Sequence, residues 1–208
     1  MTILDSIIAN KVKEVELRIK AFPQTFWEQS PWFDREVFSL SQGLKNSPTG
    51  IIAEYKRRSP SLDNINSSLS VHQVAQDYQK AGVSGMSVLT DQKYFGGSLE
   101  DLTAARAECQ IPILRKEFII DPYQLFEAKA HGADIILLIA AVLDREQIKQ
   151  LSQTAKSLGL EVLLEVHNQE ELNKALMPSL DMIGVNNRHL KTFEVSLETS
   201  MAFAEFIP

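Results

Sequence analysis

The chain has 208 residues, 44% hydrophobic and 23% charged, with a formal net charge of −6. That balance describes one folded domain with a sizeable core and excludes a disordered or fibrous chain. The acidic charge argues against general nucleic-acid binding, and the lone cysteine, Cys109, excludes an internal disulfide.

The four histidines, His72, His131, His167 and His189, are scattered without metal-ligand spacing. No metal site is expected, and a cytoplasmic chain fits best. No apolar run approaches the roughly 20 residues of a membrane span.

The N-terminus, MTILDSIIANKVKEVELRIK, places Ile3, Leu4, Ile7, Ile8, Val12, Val15 and Ile19 at helical spacing with charges between them. This predicts an amphipathic helix packed on the domain. Short apolar runs then alternate with amphipathic segments. The runs are GIIAEY (50–55), GMSVLT (85–90), IPILRKEF (111–118), ADIILLIA (133–140), EVLLEV (161–166) and DMIGVNN (181–187). Segments such as SVHQVAQDYQKAG (70–82), DPYQLFEAKAHGA (121–133) and DREQIKQLSQTAKSLG (144–159) start at Ser or Asp and stop at Gly, as helices do. Apolar strands alternating with helices predict a parallel sheet covered by helices.

A (β/α) barrel and an open doubly wound sheet both fit this rhythm. The second lacks its glycine fingerprint, because KRRSPS stands after the first strand where G-x-G-x-x-G would be. Polar residues also gather at the carboxyl ends of the strands: Glu54 and Lys56, Thr90 and Asp91, Lys116 and Glu117, Glu165, then Asn186, Asn187 and Arg188. In a barrel those ends converge on one mouth, where the chemistry of such enzymes is kept. Glu54 and Lys56 are two apart and share a strand face, so each helps offset the other's burial. His167, taken as next to Glu165 in sequence, is read as pointing to the opposite side of its strand and is set aside. A ring of structural ion pairs is the bland alternative.

The blocks IIAEYKRRSPS (51–61), SVLTDQKYFGGSLEDL (87–102), IPILRKEFIIDPYQLFEAKAHGADIILLIAAVL (111–143), GLEVLLEVHNQEEL (159–172) and IGVNNRHLKTFEVSLETS (183–200) resemble indole-3-glycerol phosphate synthase of tryptophan biosynthesis, in order and approximate spacing. The resemblance implies a (β/α)8 TIM barrel, α/β in class, with residues 1–47 as an N-terminal helical extension of a single domain. It also implies a carboxy-lyase. That enzyme closes the ring of 1-(2-carboxyphenylamino)-1-deoxyribulose 5-phosphate with loss of carbon dioxide and water, and uses no metal or organic cofactor. By the same resemblance Lys116 is the general acid at the sugar ketone, and Glu165, Lys56 and Glu54 serve the dehydration. Lys56 and Arg188 hold the substrate carboxylate, and Asn186 a sugar hydroxyl. Ser59, Pro60, Phe95 and Phe118 line the pocket. The partner expected is this small phosphosugar–anthranilate substrate, with neither nucleic acid nor membrane.

Two departures stand out. Leu62 and Asp63 replace the Lys-Gly common in the loop after SPS. Only six strand–helix units are present, so strands 7 and 8, with the turns that commonly bind phosphate, are missing. The expectation is an activity impaired by truncation, with Arg57 or Arg58 as a weak substitute for the phosphate site. Strand edges one and six should be exposed and open to self-association. The alternative is an inactive remnant, or an assembly partner that retains the catalytic residues. A neighbouring isomerase of the pathway would need a Cys/Asp pair, and Cys109 lies in a helix-to-strand connection on the wrong side.

Overall fold

The computed structural model describes residues 2–188 and 195–207; His189, in the last of the quoted blocks, lies outside the described residues. Helices α1 (Ile3–Ala21), α2 (Gln24–Trp27) and α3 (Leu40–Asn46) precede the sheet. The repeating part runs β1 (Ile52–Tyr55), α4 (Val71–Lys80), β2 (Gly85–Leu89), α5 (Gln92–Phe95), α6 (Leu99–Glu108), β3 (Ile113–Lys116) and α7 (Tyr123–Ala130). It continues through β4 (Ile135–Ile139), α8 (Arg145–Ser157), β5 (Glu161–Val166), α9 (Gln169–Ala175), β6 (Met182–Val185) and α10 (Glu198–Ala204).

Capping explains several of these starts. Thr2 and Asp5 form a capping box on α1, Asp144 and Gln147 form another on α8, and Ser70 caps α4. The strands lie in chain order, β1-β2-β3-β4-β5-β6, and every pair is parallel. A doubly wound sheet would reverse order at a switch point, and this one does not.

Two apolar layers follow from the period-2 alternation of the strands. One face, carrying Met86, Val88, Ile113, Ile136, Leu138, Val162 and Leu164, packs against helices through Val74, Leu102, Leu125, Ile148, Leu151 and Leu172. The other carries Leu114, Ile135, Leu137 and Ile139, with Ile52, Leu163 and Met182, and packs against Leu40 and Leu44 of α3. Helices on one face and side chains stacked inside the other make this a six-stranded half-barrel of TIM type. Each fully buried Leu or Ile contributes about 1.5–3 kcal/mol. Burial is complete along β2 and β4 but only partial along β6, which has one strand neighbour among the described residues, as does β1.

The amino end is closed by α3. Glu161, at the start of β5, accepts from the amides of Leu40 (2.9 Å) and Ser41 (3.0 Å) and from the hydroxyls of Ser39 and Ser41. Asp134, before β4, accepts from Arg35, Arg106 and the amides of Phe38 and Ile113, all between 2.7 and 2.8 Å. Both carboxylates are saturated by donors that tie the N-terminal segment to the sheet.

Helix α1 corrects its sequence reading. The face it buries is Ile7, Lys11 and Val15, while Val12 and Ile19 are exposed. Lys11 is 1% exposed, and its Nζ lies 3.1 Å from Asp91, 3.0 Å from Glu117 and 2.9 Å from Glu14. Burial pushes the Lys11 ammonium down, but Glu117, Asp91 and Glu14 outweigh burial and hold it above its ordinary value. No helix of the described residues is long and apolar enough to cross a membrane.

Candidate active site

At the carboxyl ends of the strands lies a cavity of about 330 Å³, the size of a small-ligand pocket. It brings together all ten residues singled out from sequence: Glu54, Lys56, Ser59, Pro60, Phe95, Lys116, Phe118, Glu165, Asn186 and Arg188. Leu89, Leu137 and Ile139 form apolar surface deeper in, and Ile3, Leu4 and Ile7 of α1 supply a further wall. Those α1 residues are read from sequence only as a packing stripe. Helical spacing shows that they share a face but not that the face meets the mouth.

The polar groups form a chain of opposite charges across the sheet. Register pairs Glu54 with Ser87 and Lys116 with Leu89, two residues further along β2, so the charged ends of β1 and β3 flank β2 on its inner face. Glu54 Oε2 lies 3.0 Å from Lys116 Nζ, and its Oε1 accepts from Lys56. Burial pushes the Lys116 ammonium down, yet Glu54 and Glu165 outweigh it and keep the group above its usual value. Burial likewise pushes Glu54 up, but Lys116 and Lys56 hold it below the usual carboxylate range. The cavity therefore presents a protonated Lys116 beside an ionised Glu54 at neutral pH. On the far side Asn186 Nδ2 donates to Glu165 Oε1 at 3.0 Å.

Loop geometry places the remaining groups. Ser59 and Leu62 form a bridge, the amides of Ile65 and Asn66 both donate to the Arg57 carbonyl, and the Arg188 guanidinium reaches Ser61 Oγ at 3.5 Å. Phe95 and Phe118 face one another with ring centroids 5.9 Å apart. Phe95 is held by the turn that follows it. Gly96 ends α5 with φ of 67°, and a Cβ on Gly97 would lie 1.9 Å from the Leu89 carbonyl oxygen.

Several expectations change. Arg57 pairs with Asp101 and donates to the Gly96 carbonyl, and Arg58 donates to the carbonyls of Gln92 and Lys93. Neither is placed to substitute for a phosphate site, because each is spent on pinning the β1–α4 loop to α5 and α6. Thr90, Asp91 and Glu117 do not converge on the mouth as functional groups. Glu117 borders the cavity, but its carboxylate is taken up by Lys11, Thr90 and the amide of Phe118, and Asp91 turns to Lys11 and caps α5. The reason is alternation: adjacent residues of a strand point to opposite faces, so Glu117 follows Arg115 toward the helices while Lys116 faces inward.

His167 is the residue that sequence reasoning missed. It lines the cavity, with Nε2 3.5 Å from Glu165 Oε1. Residues two apart on a strand share a face, so alternation places His167 on the side of Glu165, as Lys56 is placed beside Glu54; reading the two as adjacent in sequence puts His167 on the wrong side.

A parallel half-barrel whose lysines and carboxylates meet at the strand carboxyl ends defines a TIM-barrel enzyme of acid–base type. The chain belongs to the indole-3-glycerol phosphate synthase family, whose model matches residues 4–208. It is similar to the indole-3-glycerol phosphate synthase of Bacteroides thetaiotaomicron, 46% identical over 99% of this chain and 79% of that protein. The Polynucleobacter asymbioticus synthase is 46% identical over 83% of this chain and 64% of its own length. That of Albidiferax ferrireducens is 40% identical over 99% and 80%.

Proposed function

We propose that this chain carries out the synthase reaction in its own cavity, with Lys116 as the central acid. The carrying observation is the position of Lys116 between Glu54 and the charge of Glu165, which keeps it protonated in the pocket. The ring carbon that bears the carboxylate attacks the sugar ketone, forming the carbon–carbon bond while Lys116 gives a proton to the ketone oxygen. The bond to the carboxylate then breaks, carbon dioxide leaves, and its electrons restore the aromatic ring.

Lys56 and Arg188 bind the carboxylate before it departs, so Lys56 is free afterwards to protonate the new hydroxyl, which leaves as water. Glu165 takes the proton lost from the five-membered ring, and exchange with solvent, with net uptake of one proton, returns Lys116, Lys56 and Glu165 to their starting states. Asn186 holds Glu165 and reaches a sugar hydroxyl. Phe95, Phe118 and Pro60 pack on the aromatic ring, and Ser59 contacts the substrate from the loop.

Under this reading residues 1–208 act as one domain, with 1–47 as its helical extension, in the cytoplasm. The single strand neighbours of β1 and β6 support self-association, for which light scattering should give a mass that rises with concentration. The test of the activity is the fluorescence of indole-3-glycerol phosphate on mixing the chain with 1-(2-carboxyphenylamino)-1-deoxyribulose 5-phosphate. Product that disappears in Glu165→Gln supports the assignment. No product from the unaltered chain at saturating substrate supports an inactive remnant.

A further inference from the structure

Among the described residues that line the cavity, His167 alone has a buried side-chain polar atom that makes no hydrogen bond. Its side chain is 9% exposed, and Nε2 is buried without a donor or acceptor in bonding range. The other side of the ring is fixed. Nδ1 lies 3.3 Å from Glu171 Oε2, the same oxygen that accepts from the His167 amide at 2.8 Å, and Asn168 Nδ2 donates to Glu171 Oε1 at 2.7 Å. Burial pushes the Glu171 carboxyl up, but these hydrogen bonds from His167 and Asn168 outweigh it and hold the group below the usual range. A carboxylate only accepts, so the proton of a neutral imidazole resides on Nδ1. Nε2 then presents a lone pair to Glu165 Oε1 at 3.5 Å, just beyond hydrogen-bond length. In that tautomer the Nε2 lone pair faces the Glu165 carboxyl and is poised to accept a hydrogen bond from it.

We propose that His167 is a positioning residue that makes Glu165 an effective base: its Nε2, aimed by Glu171, accepts a hydrogen bond from the Glu165 carboxyl once that group has taken a proton from the substrate. The inference rests on the base role proposed for Glu165. In the step, a C–H bond of the ring-closed intermediate breaks, an O–H bond forms on Glu165, and that O–H donates to Nε2 as the contact shortens. The proton leaves to solvent with product, so no other reactant is needed. Contacts of this kind are often long in the empty site and tighten with substrate bound.

The charged groups facing the pair are Glu171 from α9, Lys116 from β3, Glu54 from β1, Lys56 just after it, and Arg188 beyond β6. The experiment compares kcat, KM and the kcat–pH profile of the unaltered chain with His167→Ala, His167→Gln and Glu165→Gln. His167→Ala should lose about tenfold in kcat, with KM changed by less than about twofold. Its acidic limb should move to lower pH, because the protonated form of Glu165 has lost its acceptor. His167→Gln, which restores an acceptor oxygen near Nε2, should recover much of kcat. Wild-type kcat and limb in His167→Ala, with Glu165→Gln inactive, would overturn this inference alone. Full activity in Glu165→Gln, or none in the unaltered chain, would overturn the underlying reading as well. A second measurement stands even if His167→Ala does not fold. Nitrogen-15 histidine spectra of the unaltered chain, assigned with His167→Gln, should show the Nδ1–H tautomer at His167, and an Nε2–H tautomer would refute the proposal.

Discussion

The two ends of the half-barrel carry carboxylates of the same kind and use them differently. At the amino end Asp134 and Glu161 are surrounded by guanidinium, hydroxyl and amide donors that leave them nothing further to bind. At the carboxyl end Glu54 and Glu165 share their surroundings with lysines, an amide and an imidazole that border a cavity. Identical side chains thus become fasteners where every lone pair meets the fold and reagents where some remain for a substrate. In a TIM-type sheet this division follows strand direction, with stability at the amino face and chemistry at the carboxyl face.

The comparison can be broken most forcefully at Asp134. Asp134→Ala leaves Arg106 buried without its partner and should cost about 3–5 kcal/mol of stability, read as a urea midpoint shift. Turnover per folded molecule should hardly change, since the residue lies far from the cavity lining. Lys11→Met tests a fastener that lies near the carboxyl end. It strands Asp91 and Glu117 in a buried environment and should cost about 3 kcal/mol, with detachment of α1 visible as faster hydrogen exchange over residues 3–21. Gly97→Ala is smaller: relief of the clash with the Leu89 carbonyl should cost about 1–3 kcal/mol and displace Phe95, raising KM more than it lowers kcat.

The weakest effect is the pH dependence of the fasteners. Burial pushes Glu161 and Glu117 up, but hydrogen bonds from Ser39 and Ser41 to the first, and Lys11 with Arg115 beside the second, bring both below the ordinary value. A depressed folded pKa means stability that is complete above the ordinary carboxylate range and lost as pH falls through the depressed values. Thermal melts should therefore decline below about pH 4, and Glu161→Gln should make that decline shallower.

Much of this division is legible in the chain itself. Six apolar runs mark six strands, and charges at their carboxyl ends mark the mouth, because an ionisable residue ending a buried strand needs a reason to be there. What sequence hides is direction. Lys116 and Glu117 are neighbours on a charged strand end, yet one faces the cavity and the other the helices, a consequence of alternation that a reading of strand ends alone overlooks. His167 was hidden by a misapplied alternation: two residues from Glu165, it shares that residue's face and was read as lying on the other. Lys11 was hidden because a cation inside an apolar stripe looks like its solvated side until the acids that receive it, 80 and 106 residues further along, are brought together by the fold.

The claim that carries most weight is that the lysine at the end of β3 does chemistry rather than holding the sheet together. The direct measurement is turnover of 1-(2-carboxyphenylamino)-1-deoxyribulose 5-phosphate by Lys116→Met, followed through product fluorescence at a protein concentration matched to the unaltered chain. A loss of about 10²–10⁴ in kcat, with the melting temperature retained, is the predicted result. Turnover within a few-fold of the unaltered chain would contradict it and return Lys116 to the fasteners.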